Sequence, residues 1–310
     1  MRDGGSDVFL TGATGYVGPA VLHQLTASGR SVTALVRVAT AVPGARTVVG
    51  RLGDLIEEVG ASGSVVHLAS ERSGNRDPVV FDDILGTGDL LDAWRRGPFV
   101  YASSATIHGA PHAALDASAP LEINDWYNAG KVVNEFQLRD AVAAGVEGRG
   151  PGISLRPCVY FGRSRRAPYR QYLNSYVFHA MAGHTFTFDT DAAVQGAGMS
   201  YIGDADYGRA VVAALDRGVS GGFPIASGFV TYRDLLDTIN RVAGTTGRLA
   251  VKSPSGPDEF RVPHSRIEID SSAFTAQTGW VPQQGLEELV SAFVAGEREA
   301  GRAKGVGAPS

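Results

Sequence analysis

The sequence predicts an α/β protein built on a doubly wound parallel sheet, with a smaller C-terminal substrate-binding lobe. Three observations predict it. Apolar runs of strand length alternate with longer helical patterns from residue 7 to about residue 156. A glycine-rich stretch, Thr11-Gly12-Ala13-Thr14-Gly15-Tyr16-Val17-Gly18, sits where the first strand gives way to the first helix. Serines and a Tyr-x-x-x-Lys fall after later strands, at the edge where ligands of open α/β sheets gather.

Asp7–Leu10 reads as a buried first strand, and Ala20, Val21, Leu22 and Leu25 as a helix that ends at Gly29. Glycine admits positive φ and has no Cβ to block a ligand. A helix N-terminus offers unpaired N–H groups and partial positive charge to a pyrophosphate. The turn is therefore read as a dinucleotide site comprising Gly12, Thr14, Gly15, Tyr16, Val17 and Gly18; the alternative is an ordinary tight turn.

Ser31–Val36 is the second strand, and Arg37 follows it, facing the adenine ribose. A carboxylate there would bind the ribose hydroxyls of NAD, whereas a guanidinium suits a 2′-phosphate. NADP is the expected cofactor, with NAD the alternative and a solvent-facing arginine the competing reading. Arg46–Val49 is a weak third strand. Asp54 beyond it either accepts from the adenine amine or caps a short helix through Glu58. Ser64–Leu68 is the fourth strand, and its small continuation lets a cofactor pass at Leu68 and Ala69, with Ser70 beyond. A helix over Phe81–Arg95, a fifth strand over Phe99–Ser103, a helix over Trp126–Val146 and a sixth strand over Ile153–Arg156 follow.

Beyond Pro157 the pattern loosens. Helices are expected over Tyr169–Met181, Asp206–Leu215, Tyr232–Val242 and Leu286–Phe293, and short strands at Thr185–Phe188, Tyr201-Ile202 and Phe223–Ala226. The expected organisation is a dinucleotide-binding domain over 1–160, a lobe interleaved with it over 161–301, and a disordered tail over 302–310.

Tyr127 and Lys131 are four residues apart and share a helix face. A free phenol, with a pKa of about 10, is a poor base at neutral pH. A nearby ammonium favours the phenolate. Ser104, at the end of the neighbouring strand, can fix the same substrate oxygen, so the three groups form a proton relay for alcohol–ketone interconversion. Taken singly, the pair could be an exposed helix face and Ser104 a turn cap. Thr106, Ser70 and Trp126 are candidate pocket residues. Arg163, Arg165, Arg166 and Arg170 belong either to an anion-binding loop or to a solvated one. His67 and His108 are read as packed, Cys158 as a small buried residue, and His179 and His184 as making no metal site.

On these stretches, and on Tyr101–Gly109, Leu155-Arg156-Pro157 and Gly279-Trp280-Val281-Pro282, the chain resembles the extended short-chain dehydrogenase/reductases, which include the nucleotide-sugar epimerases and dehydratases. The resemblance implies a Rossmann-type sheet and catalytic roles for Ser104, Tyr127 and Lys131, with Lys131 also holding the nicotinamide ribose. It implies Asp54 and Leu55 at the adenine and the backbone near Cys158 at the nicotinamide. It also implies a homodimer through the helices at Phe81–Arg95 and Trp126–Val146. Four departures stand out. Asp83 replaces an asparagine, Gly130 a serine, Val159 an asparagine used near the diphosphate, and Met199-Ser200 an Arg-Asp pair.

Net charge is −4, with 19% charged and 44% hydrophobic residues, which gives nucleic acid no basic footprint. One cysteine fits a reducing compartment, and no apolar run suggests a signal peptide or a membrane span, so a cytoplasmic location is expected. The expected function is hydride transfer between NADP(H) and a ketone or secondary alcohol on a small organic substrate. The alternatives are a nucleotide-sugar epimerase or 4-ketoreductase, and a non-catalytic NADP-sensing protein.

Overall fold

A computed structural model describes residues 8–54, 56–109, 114–162, 173–253, 256–263 and 265–305. The first strand, β1 (Val8–Thr11), is buried throughout and leads through the glycine turn into α1 (Gly18–Ala27), which buries Val21, Leu22 and Leu25. Then come β2 (Val32–Val36), β3 (Arg46–Val49), α2 (Ile56–Ala61) and β4 (Ser64–His67). The next helical run starts as α3 (Arg76–Pro78), widens into a π-helical stretch over Val79–Leu85, and resumes as α4 (Gly86–Ala93). It therefore begins five residues before the predicted Phe81. β5 (Gly97–Ala102), α5 (Trp126–Ala143) and β6 (Arg149–Pro157) close the first half. Asp125 sets the start of α5 by accepting the Asn128 backbone N–H at 2.7 Å.

The second half comprises β7 (Val159–Phe161), α6 (Leu173–Met181), β8 (Thr185–Phe188), α7 (Asp191–Gly196), β9 (Gly198–Gly203) and α8 (Asp204–Arg217). It continues with β10 (Gly221–Ile225), β11 (Gly228–Thr231), α9 (Tyr232–Ala243), β12 (Arg248–Val251), β13 (Glu259–Arg261) and β14 (Arg266–Ile267). The chain ends with α10 (Ser272–Thr278) and α11 (Leu286–Gly305).

The central sheet has seven strands in the order β10-β6-β5-β4-β1-β2-β3, all parallel. Leu22, Val211 and Phe274 pack in the core on one face, and Leu90, Trp94 and Leu138 in the core on the other. Helices thus cover both faces, as parallel sheets require. Strand order reverses between β1 and β4, which opens a crevice at their C-terminal ends. Two small sheets, β11-β9-β14 with β7 on β9 and β12-β8-β13, form the lobe around a third core containing Tyr176, Phe186 and Tyr232.

Within the interleaved stretch 161–301, α8 and β10 belong to the central sheet and its core. A fully buried carboxylate, Asp206, ties core to C-terminal segment. It accepts from the Gln283 and Gln284 backbone N–H groups, both at 2.9 Å, and its backbone carbonyl takes the Trp280 indole N–H. The tail expectation is revised. Residues 302–305 continue α11, where Ala303 and Lys304 are good helix formers; 306–310 lie outside the described residues, as do 169–172 of the predicted helix Tyr169–Met181.

Candidate active site

A cleft of 770 Å³ runs along the C-terminal edge of the central sheet, from Arg37 and Arg51 at one end to Ser104 and Tyr127 at the other. Its floor is the glycine turn. Gly12 has φ +74°, and a Cβ there would sit 2.7 Å from the Ala69 backbone nitrogen. A Cβ on Gly18 would sit 2.3 Å from the Gly12 carbonyl oxygen, so this glycine lets α1 close onto the turn. Gly15 meets only the Gly12 carbonyl, at 3.0 Å, and lines the cleft. No side chain caps the start of α1. Pro19 in its first turn has no N–H, and the backbone of Gly15, Tyr16 and Val17 just ahead of it lines the cleft, so the turn fits a dinucleotide pyrophosphate.

Thr14, Tyr16, Val17, Arg37, Leu68, Ala69 and Cys158 all line the same cleft. Gly18 does not; it lies beneath the turn. His67 sits under the β4 end, fully buried. The Ala69 N–H donates to the Thr11 hydroxyl at 3.1 Å, and that hydroxyl bonds His67 Nδ1 at 2.6 Å. With Thr11 donating to Nδ1, the ring's Nε2–H donates to Thr87 at 2.9 Å. Burial, with the Lys131 charge, pushes the imidazole down to about 3, so His67 is a neutral brace.

Tyr127, Lys131, Ser104, Ser70 and Thr106 converge on the other end. Lys131 is buried; its ammonium donates to the Ala102 carbonyl at 2.7 Å and lies 5.6 Å from the centroid of the Tyr127 ring and 4.8 Å from that of Tyr101. Ser104 Oγ accepts from the Thr106 N–H at 3.2 Å and shares a 2.8 Å bond with the Thr106 hydroxyl. Thr106 in turn donates to Asn128 Oδ1 at 2.7 Å. Ser103 Oγ is buried without a hydrogen-bond partner among the described residues, and Ser103 lines the cleft. It is a candidate ligand group that the sequence reading passed over.

Asp83 faces this end from the π-helical stretch. It accepts from Ser70 Oγ at 3.1 Å and from Asn134 Nδ2 at 3.2 Å. π-Turns recur at functional sites because they re-aim one side chain. Gly130 on α5 makes room for the stretch, since a Cβ there would meet Val79 Cγ1 at 2.8 Å. The two departures at 83 and 130 are thus one packing arrangement.

Two candidates stand outside the cleft. Asp54 is exposed and outside the cleft; its carboxylate caps its own turn, accepting the Arg51 N–H at 2.9 Å. Arg51 and Leu52 form the wall there instead. Trp126 is 42% exposed, outside the cleft, with the Arg76 guanidinium 5.9 Å from its ring centroid. Leu55, Arg163, Arg165, Arg166 and Arg170 lie outside the described residues. His179 and His184 bond to each other through Nδ1 at 2.9 Å, and no metal-binding group occurs among the described residues. No described helix is long and apolar enough to cross a membrane.

The profile of the NAD dependent epimerase/dehydratase family matches residues 8–224. A UDP-glucose 4-epimerase of Azospirillum brasilense is 27% identical over 345 aligned positions, covering 97% of this chain and 95% of that protein. Among solved structures, a UDP-glucose 4-epimerase from Stenotrophomonas maltophila, with bound NAD and formylated UDP-arabinopyranose, superposes with a TM-score of 0.81 at 19% identity, covering 96% of this chain and 99% of that one. The Brucella ovis UDP-glucose 4-epimerase in complex with NAD gives 0.78 at 19% identity, covering 94% and 98%.

Burial dominates at Asp83 and raises its carboxyl above the ordinary value, against opposing pulls from Lys131, Ser70, the Glu71 backbone and Asn134. A raised carboxyl contributes its stability below the unfolded pKa of about 3.8 and loses it as pH rises through the folded value. Asp83→Asn is therefore expected to melt higher than wild type at pH 7.5, with the gap narrowing as pH falls toward 4. Paired thermal melts across that range check it; a gap of constant size, or a lower melting point at pH 7.5, would contradict it.

Proposed function

The chain belongs to the NAD dependent epimerase/dehydratase family, and from that premise we propose that it moves a hydride between NADP(H) and a ketone or secondary alcohol on a small organic substrate. The observation that carries this reading is the convergence of Tyr127, Lys131 and Ser104 on the cleft floored by the glycine turn. When bound, the nicotinamide supplies or takes the hydride. Tyr127 exchanges a proton between its hydroxyl and the substrate oxygen. Because the Thr106 hydroxyl donates to Asn128, the Ser104 hydroxyl donates to Thr106 in the free site and must turn from it to donate to the substrate oxygen. Lys131 keeps a positive charge beside Tyr127 and, by resemblance, holds the nicotinamide ribose.

The substrate class follows from the missing diphosphate anchors. Val159 puts an apolar side chain in the cleft wall, Met199 packs in the lobe core, and Ser200 is engaged by the Ile269 N–H at 3.0 Å. None of the three offers a cation to a sugar nucleotide. The second reading, a nucleotide-sugar 4-epimerase, is favoured by the names of the relatives above. Purified protein with NADPH and a panel of ketones is expected to show turnover that falls by about 10²–10⁴ in Tyr127→Phe. Unimpaired turnover in the variant, or none in wild type, would defeat the reading. Interconversion of UDP-sugars without net cofactor consumption would instead establish the epimerase. Binding of NADP with no reaction on either panel would leave the sensor.

Arg37, exposed at the cleft end just past β2, supports the choice of NADP. Arg37→Ala is expected to weaken NADPH by about tenfold or more while leaving NADH nearly unchanged, as one charge-assisted contact to phosphate would. Fluorescence titration measures both, and an equal change in the two would refute the contact.

A homodimer is the expected assembly. Phe81 and Leu85 on the π stretch and Phe136 on α5 are 65%, 52% and 57% exposed on packed neighbouring helices. Such a patch marks an interface. Light scattering should give a dimer that Phe136→Asp converts to monomer; a monomeric wild type at tens of micromolar would end this proposal.

A further inference from the structure

We propose that Arg51 is a second specificity-determining cation, which clamps a ribose 2′-phosphate jointly with Arg37. The inference rests on the dinucleotide reading of the cleft and goes beyond it, because nothing in the sequence pattern pointed to Arg51.

The sheet brings the two arginines to the same end of the cleft, with Arg37 opposite Gly50 and Arg51 one residue beyond it. Val36, the last residue of β2, is in register with Val49, the last of β3. The Gly50 N–H donates to the Val36 carbonyl at 3.1 Å, so the two strand ends stay paired one residue further. Arg37 is the next residue on one side and Arg51 on the other. Both line the cleft, and both are exposed. Neither guanidinium has a hydrogen bond or ion pair with any described residue.

The acids nearby are committed elsewhere. Asp54 accepts the Arg51 backbone N–H at 2.9 Å, which fixes the turn from which Arg51 departs. Glu71, the acid whose carboxyl feels Arg37, accepts the Ser73 N–H at 2.6 Å. Two guanidiniums at one cleft end, neither held by an acid, favour an anion there. A phosphate monoester is nearly doubly charged and presents three oxygens, enough for a planar fork from each side. A ribose with free hydroxyls offers no charge to either.

The test compares wild type, Arg51→Ala, Arg51→Gln and Arg37→Ala by calorimetric titration. The probes are NADPH, NADH, 2′,5′-ADP and 5′-AMP; the last two isolate the adenosine end. Both Arg51 variants are expected to lose about tenfold or more in affinity for NADPH and 2′,5′-ADP while holding NADH and 5′-AMP within about twofold. The loss should shrink as salt is raised. Retained NADH binding shows that the variant is folded. An unchanged NADPH-to-NADH ratio in the Arg51 variants, with both cofactors bound by wild type, would overturn this inference and leave the dinucleotide site standing. Failure of wild type to bind any of the four probes would overturn the dinucleotide reading and this inference together.

Discussion

The buried ammonium of Lys131 is the constraint on which the reacting end depends. A charge taken out of water is costly unless it is hydrogen-bonded or paired. Here the carbonyl of Ala102, the last residue of β5, accepts it at 2.7 Å. That single bond fixes the long helix α5 against the C-terminal edge of the sheet. Because Tyr127 is one helical turn from Lys131, its ring is carried to the same edge. Ser104 is two residues past Ala102, so the strand that accepts the lysine also delivers the serine. One contact between a helix and a strand end thus sets the relative placement of three side chains that are 27 residues apart at most.

The second helix of this wall makes the arrangement tight. Asn134 donates to both Asp83 and the Tyr101 hydroxyl, at 3.2 and 3.1 Å. It therefore joins α5, the π stretch and β5 in one buried network. The widened turn at Val79–Leu85 brings Asp83 into reach, and Gly130 removes the Cβ that would push Val79 away. A buried polar network of this kind stabilises only when each member has a partner. The carboxylate at 83 is hydrogen-bonded on both oxygens, yet burial still disfavours its charge.

The parts legible in the sequence are those set by steric rules or by period. Gly12 and Gly18 announce themselves because no other residue fits the backbone approaches at 2.7 and 2.3 Å. Tyr127 and Lys131 pair by helical spacing alone. The parallel sheet follows from alternation; its edge strand β10 is legible as a strand at Phe223–Ala226, but the long excursion through the lobe conceals that it joins the central sheet. The lobe strands β12 and β13 are four and three residues long and are held by pairing with β8 rather than by their own pattern. The residues lining the Arg37 end were illegible for a related reason. Which residue past β3 faces the cleft depends on where pairing with β2 stops, and pairing through Gly50 presents Arg51, not Asp54. The π stretch left no mark in the sequence beyond the unusual Asp83 and Gly130.

The two ends of the cleft follow different electrostatic logic. At the adenosine end the guanidiniums of Arg37 and Arg51 are exposed, so their attraction for an anion is screened by water and salt. They suit recognition, where differences between two cofactors matter more than absolute strength. At the reacting end Lys131, Asp83 and Ser104 are all buried, and their partners are fixed before any ligand arrives. The Lys131 charge held in that way needs no reorganisation when charge develops beside it, whereas the Ser104 hydroxyl has to turn from Thr106. The glycine turn lies between the two ends and forms part of the rigid sheet edge that carries both. Under the function proposed above, a ligand held at its adenosine by screened contacts would reach, along the same sheet edge, groups whose strength comes from their burial.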